Sequence, residues 1–202
     1  MNQRTPRRPS PAAVGSHATV SSVRVIGGRS RGRRLSGRLP AGVRPTGDRV
    51  REAIFDVLGS MGGVTNLGVI DLFCGSGAMG VEALSRGAAS ATFVDHDPGA
   101  LEAVRTNLAA VGLGGEPATV LRAELPGWLE RSAPFDIAFC DPPYAFDQWG
   151  ALLGWLQADV AILESADEIA VPTGWEVTRS RRYGGTLVTV VRQAPSPSVI
   201  GS

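Results

Sequence analysis

Short apolar runs alternate with stretches of helical spacing along most of the chain, and the alternation predicts an ordered series of strands and helices. Val69, Ile70, Leu72 and Phe73 form an almost continuous apolar run, the pattern of a strand buried on both faces of a parallel sheet. This predicts strand 68–73, followed by helix 77–86, in which Met79, Ala83 and Leu84 keep helical spacing. The same reading gives strand 91–95 and helix 98–111, then strand 118–122 and a short helix 126–131. Strand 135–140, helix 147–157 and strand 160–164 follow. Near the end the pattern changes: 175–181 and 186–192 alternate or run β-branched around Gly184-Gly185, which predicts a closing antiparallel hairpin.

Two elements precede this series. Val23-Arg24-Val25-Ile26-Gly27-Gly28, followed by arginines up to Leu35, predicts a small β-hairpin with an arginine-loaded loop. Val50, Ile54, Val57 and Leu58 fall at i, i+4, i+7 and i+8, one apolar face of a helix that Thr46 or Asp48 caps and Gly59 ends. Residues 1–21 carry no period and read as a disordered tail. The expected fold is α/β and Rossmann-like: a mostly parallel seven-stranded sheet with a C-terminal antiparallel hairpin, plus a small N-terminal β-hairpin and helix. The expected boundaries are a basic extension over 22–60, the main domain over 61–193 and a flexible end over 194–202.

Composition narrows the partners. With 202 residues, 43% hydrophobic content and a mean hydropathy of +0.05, the chain suits one soluble domain. No apolar run approaches the roughly 18 residues a membrane span needs. The net charge of +1 hides an asymmetry, because all 20 basic residues are arginine and twelve lie in the first 51 positions against a single acid, Asp48. A basic head on an acidic body points to a polyanion held through Arg29, Arg31, Arg33, Arg34, Arg44, Arg49 and Arg51, since the guanidinium fork fits phosphate and stacks on bases. Arg49 adds a detail: a cation near a helix N-terminus is unfavourable unless an anion is close. The two cysteines, Cys74 and Cys140, form no spaced disulfide framework and fit a reducing cytosol.

Candidate chemistry sits at the strand ends, where ligands bind in such folds. Asp71-Leu72-Phe73-Cys74-Gly75-Ser76-Gly77 is a strand running into a glycine turn and then a helix N-terminus, a place where backbone can approach a ligand closely. Asp95 ends the next strand and can accept hydrogen bonds from both hydroxyls of a ribose, with His96 beside it as an exposed loop residue and not a base. Ala123 and Glu124 at the third strand end can meet an adenine edge. The fourth end is Asp141-Pro142-Pro143-Tyr144. Two prolines fix φ and remove two donors, leaving rigid carbonyls beside a carboxylate that together receive the hydrogens of a planar NH2 group, while the tyrosine stacks on its ring. Methyl transfer to such an amine needs positioning and desolvation more than a strong base.

With these motifs the chain resembles the S-adenosylmethionine-dependent methyltransferases that act on amino groups, and more closely the bacterial RsmD family of 16S rRNA (guanine-N2)-methyltransferases. The resemblance runs from Val23 to Arg192. It is carried by Arg24-Val25-Ile26-Gly27-Gly28 with Arg31-Gly32-Arg33, by Arg44-Pro45-Thr46 with Asp48-Arg49-Val50-Arg51-Glu52, by the glycine turn, by Glu82-Ala83-Leu84-Ser85-Arg86 and by Asp141-Pro142-Pro143-Tyr144. It implies methylation of the 2-amino group of one guanine, position 966 in the usual bacterial numbering, of 16S rRNA in the 30S subunit or its assembly intermediate. No spare apolar helix face is evident, so a monomer is expected, cytoplasmic and without a metal. The resemblance further implies that Asp71, Phe73, Gly75, Ser76 and Gly77 surround the methionine part of the cofactor. Asp95 and His96 would lie at the ribose, Ala123 and Glu124 at the adenine edge, and Asp141, Pro142, Pro143 and Tyr144 at the target base, with Asp141 also touching the cofactor. The family often has Glu in place of Asp95 and Asp or Asn in place of Glu124.

Three other classes share parts of this pattern. A DNA amino-methyltransferase uses the same Pro-Pro-Tyr chemistry, but a head of about 50 residues is small for reading DNA sequence. A cytosine-C5 enzyme needs a thiolate, and neither Cys74 nor Cys140 follows a proline in the usual catalytic arrangement; both read as small pocket linings. An RNA-binding assembly factor without catalysis would not require an intact Asp141–Tyr144 run.

Overall fold

The computed structural model describes residues 23–35 and 47–195. The predicted tail 1–21, residues 196–202, Thr46 as a cap and Arg44 as an RNA contact lie outside the described residues. The elements run α1 (Asp48–Ser60), β1 (Gly68–Leu72), α2 (Ala78–Ser85), β2 (Ser90–Asp95), α3 (Pro98–Ala110), β3 (Ala118–Arg122) and a 3-10 turn (Gly127–Arg131). They continue with β4 (Phe135–Cys140), α4 (Trp149–Trp155), β5 (Ala158–Ser165), β6 (Trp175–Tyr183) and β7 (Thr186–Gln193). One seven-stranded sheet has the order β3-β2-β1-β4-β5-β7-β6. Strands β1 to β5 are parallel, and β7 is antiparallel to both β5 and β6. Strand β6 therefore points the same way as the parallel set.

Alternation along the strands divides the core into two layers. Val69, Ile137, Phe139, Val160, Ile162, Val188 and Val190 face a cluster shared with α1, α2, α3 and the N-terminal segment. Their neighbours Ile70, Leu72, Ala138, Cys140, Ala161, Leu163 and Val191 face the other side, against Leu129, Leu152, Leu153 and Trp175. A period of two in a buried strand places consecutive residues on opposite faces, so both faces must be apolar, as the sequence indicated.

The N-terminal extension is part of this core. Val23, Val25 and Leu35 are buried in the same cluster as Val69 and Phe139. An antiparallel pairing of Arg24 with Arg34 forms the predicted hairpin, and its turn is fastened to the end of α2. The fastening is the buried carboxylate of Glu82, which accepts from Ile26 N at 2.8 Å and Gly27 N at 2.7 Å and pairs with Arg86 Nε at 2.7 Å. Ser85 adds a hydroxyl bond to the Gly27 carbonyl at 2.7 Å. Gly28 has φ +74° and a Cβ there would lie 1.9 Å from the Ser85 carbonyl oxygen. Gly28→Ala combines left-handed strain with a backbone clash and is expected to lower stability by about 2–3 kcal/mol, read as a loss of denaturant midpoint.

Helix α1 departs from its sequence reading. It starts after Gly47 without a side-chain cap, carries Asp48 in its first turn, and continues past Gly59 to Ser60. Its buried face is Arg51, Ile54, Phe55 and Leu58, while Val50 and Val57 are half-buried. The rotation brings Arg51 wholly inside, where it pairs with Asp48 at 2.9 Å, lies 3.7 Å from Glu82 and donates to the Arg24 carbonyl. Arg51 thus has no surface to offer RNA: it is a structural cation inside the junction of hairpin, α1 and α2.

Candidate active site

Strands β2, β1 and β4 are adjacent, and their carboxyl ends bring the predicted motifs together. Leu72 is opposite both Val94 and Cys140 in register. The glycine turn after β1 therefore lies between Asp95 and Asp141. The turn is held from both sides: Gly75 N donates to Asp95 Oδ2 at 2.9 Å, and Asn107 of α3 donates to the Ser76 carbonyl at 2.8 Å. Gly77 has φ 74° and caps α2; a Cβ there would meet Val104 at 2.9 Å and Phe93 at 3.1 Å. Gly75 has φ 51° and open space where a Cβ would project, so the turn offers an unobstructed backbone surface.

Asp71 points inward and accepts from Gly80 N at 2.9 Å in the first turn of α2. Burial, opposed by that hydrogen bond and reinforced by the charges of Asp141 and Asp95, pushes its carboxyl up to about 8. The folded protein thus keeps a proton that an unfolded carboxyl releases near pH 3.8. Its stability contribution is complete below about pH 4 and is lost as pH rises through 8. Asp71→Asn, which keeps an acceptor for Gly80, is expected to flatten the fall in stability between pH 4 and 8 relative to the unaltered protein, measured by denaturant midpoints across that range.

Asp95 is nearly buried, and Oδ1 accepts from Asp97 N at 2.9 Å and lies 3.3 Å from the exposed His96. Each carboxylate oxygen has capacity beyond its backbone donor, which leaves acceptor sites for a pair of hydroxyls. Ala123 is half-buried and its N–H bonds the Asp95 carbonyl at 3.1 Å; Glu124 is exposed beside it. On the opposite side of the turn, Pro142 is buried, Asp141 and Pro143 are exposed, and Tyr144 is 75% exposed, a large ring with little protein cover. Both thiols are buried, and that burial pushes them well above the ordinary range, which removes them as nucleophiles.

Three features escaped sequence reasoning. Phe73 takes φ 56°, a strained value for a residue with a Cβ, where only the glycines were expected to turn. Its ring packs edge-on against Phe146 at 5.2 Å, and Phe146 against Trp149 at 5.3 Å, giving the site an aromatic wall. Asn107 gave no signal beyond its place on an apolar helix face. Of the arginines assigned to RNA, Arg31, Arg33, Arg34 and Arg49 are exposed, and Arg29 is paired with Glu116 at 2.7 Å. The hairpin turn that carries Arg29 and Arg31 contacts Ser85 and Val111, where α2 and α3 end. Those helices run against the strands, so the turn lies at the amino ends of the sheet, about 15–20 Å from Asp141, which is the length of a strand.

A carboxylate-ended β2, a braced glycine turn after β1 and an Asp-Pro-Pro-Tyr run after β4 lie on the sheet order of the S-adenosylmethionine-dependent methyltransferase fold. The acceptor carboxylate and open glycine backbone suit the polar groups of that cofactor. A family model described as Conserved hypothetical protein 95 matches residues 23–192. The Escherichia coli K12 protein named Ribosomal RNA small subunit methyltransferase D is 35% identical over 181 residues, covering 84% of this chain and 89% of that one. Its Haemophilus influenzae namesake is 33% identical over 174 residues, covering 80% and 89%. A solved structure of a hypothetical protein from Thermus thermophilus superposes with a TM-score of 0.69 at 33% identity, covering 84% of this chain and 99% of that one. The chain belongs to the RsmD family. Among the described residues no helix is long and apolar enough to cross a membrane, and no group of side chains could hold a metal ion.

Proposed function

We propose that the protein transfers a methyl group from S-adenosylmethionine to the exocyclic N2 of a guanine in 16S rRNA, in the 30S subunit or an assembly intermediate. The observation that carries this reading is the register of β4 on β1, with Cys140 opposite Leu72, which sets Asp141-Pro142-Pro143-Tyr144 directly beside the glycine turn. The names of the relatives support the rRNA substrate. When bound, the cofactor supplies an electrophilic methyl on a positively charged sulfur.

This chain's residues do the rest. Asp95 would hold the ribose hydroxyls, the Gly75–Gly77 turn the methionine part, and Ala123 and Glu124 the adenine edge. Asp141 and the Pro142 carbonyl accept the two amine hydrogens, so the nitrogen lone pair faces the turn, and Tyr144 stacks on the base. The amine proton becomes acidic once the nitrogen carries the methyl and leaves to Asp141 or water. The test is labelled transfer to 30S subunits lacking the modification, naked 16S rRNA and duplex DNA, followed by nucleoside analysis. N2-methylguanosine in RNA is the expected product; methylated adenine in DNA, or no label in any acceptor, would overturn the reading.

A further inference from the structure

Strand β6 ends the sheet on one side, and we propose that its arginines form a second RNA-contacting surface, holding substrate phosphates near the target base. The proposal rests on the RNA reading above and on the register of the sheet. Cys140 pairs with Leu163, Leu163 with Thr189, and Thr189 with Ser180. One residue further along each parallel strand, Asp141 and Arg181 therefore occupy the same row, at the same end of the sheet. They are three strand spacings apart, about 14 Å, or roughly four stacked nucleotides. The hairpin turn carrying Arg29 and Arg31 lies at the other end, so β6 is nearer to the site than that turn.

The side chains are suited to phosphate. Between Trp175 and Gln193 the chain has four arginines and one acid, Glu176, although the body after residue 51 is acidic. Arg179, Arg181 and Arg182 are exposed, and among the described residues none forms an ion pair with a carboxylate. Arg181 lies over the Tyr183 ring at 5.3 Å, and Arg182 donates to the Ala166 carbonyl at 2.8 Å, which orients both. Arg179, Arg181 and Tyr183 form one wall of a groove whose floor is Val188 and Val190 and whose opposite wall is α1. The carboxylate nearest in register is Glu164 on β5, two strands away and buried.

Arginines on an edge strand have another use, blocking strand-to-strand aggregation, and for that purpose charge of either sign serves. Phosphate binding requires positive charge, so sign separates the two. RNA affinity is measured directly, without catalysis, by salt titration of the full chain with 30S subunits lacking the modification and with 16S rRNA transcript. R179Q/R181Q is expected to weaken binding about ten-fold near physiological salt and to reduce the slope of log affinity against log salt by between about 1 and 2. R179E/R181E should weaken it further, R179K/R181K should restore the slope, and affinity for S-adenosylmethionine should stay within two-fold throughout. A wild-type slope in R179Q/R181Q, or R179E/R181E binding RNA as the wild type does, would overturn the proposal. Absence of methyl transfer by a wild-type protein that still binds RNA through these arginines would instead overturn only the catalytic reading.

Discussion

Asp141→Ala is expected to lower methyl transfer by at least about 10²-fold while leaving S-adenosylmethionine affinity within a few fold and the melting temperature nearly unchanged. Asp141 is exposed at the end of β4, so no core packing depends on it. Its charge is nevertheless felt at buried Asp71, which places it within electrostatic reach of the glycine turn. Without the carboxylate, the amine loses an acceptor that fixes the direction of its lone pair, and misdirection by about 1 Å costs on the order of 10² in rate. Buried Pro142 keeps its carbonyl, so the base can still enter the site but in poorly selected orientations. Asp141→Asn retains one acceptor and should fall between the wild type and alanine. Loss of cofactor affinity in parallel with activity would show that Asp141 serves the cofactor and not the base.

The largest effect on stability is expected from Glu82→Ala. Its carboxylate accepts from two backbone donors of the hairpin and pairs with Arg86, with Arg51 close behind. Removing it strands the Ile26 and Gly27 N–H groups and leaves the buried Arg51 cation, among the described residues, with Asp48 as its carboxylate partner beside the Arg24 carbonyl. Breaking a buried pair by deleting one partner costs about 3–5 kcal/mol, or a fall of roughly 6–20 °C in melting temperature for a domain of this size. A fall below about 2 °C would mean that water replaces the carboxylate and that Val23, Val25 and Leu35 with the Ser30 and Ser85 bonds suffice to hold the hairpin. Glu82→Gln, which keeps one acceptor, should lose less.

The parallel part of the fold was legible because its signals are local. Apolar runs marked β1, β2 and β4 to within one residue, and Gly184-Gly185 marked the final hairpin. The site motifs were legible for the same reason: each lies at a strand end, and β1 beside β4 brings them together. What the sequence hid depends on long-range packing. Arginine normally signals surface, but the Glu82 carboxylate and the Arg24 carbonyl take Arg51 into the interior and rotate α1 with it. A count of charges in the basic head cannot show that the turn carrying Arg29 and Arg31 is fastened to the ends of α2 and α3. The arginines of β6 were hidden in an acidic body, and only the strand order places them on the site's row. Phe73 could not be foreseen in a left-handed conformation, since glycines two and four positions later accounted for the turn by themselves.

The most direct test of the central claim is a single-turnover reaction of the protein with labelled S-adenosylmethionine and 30S subunits lacking the modification, followed by nuclease digestion and mass mapping of the 16S rRNA. One methyl per particle, on N2 of one guanine and absent with Asp141→Ala, is the expected result. Methyl on another base, on many sites, or undiminished in the Asp141→Ala variant would contradict the assignment of the β4 end as the seat of the target amine.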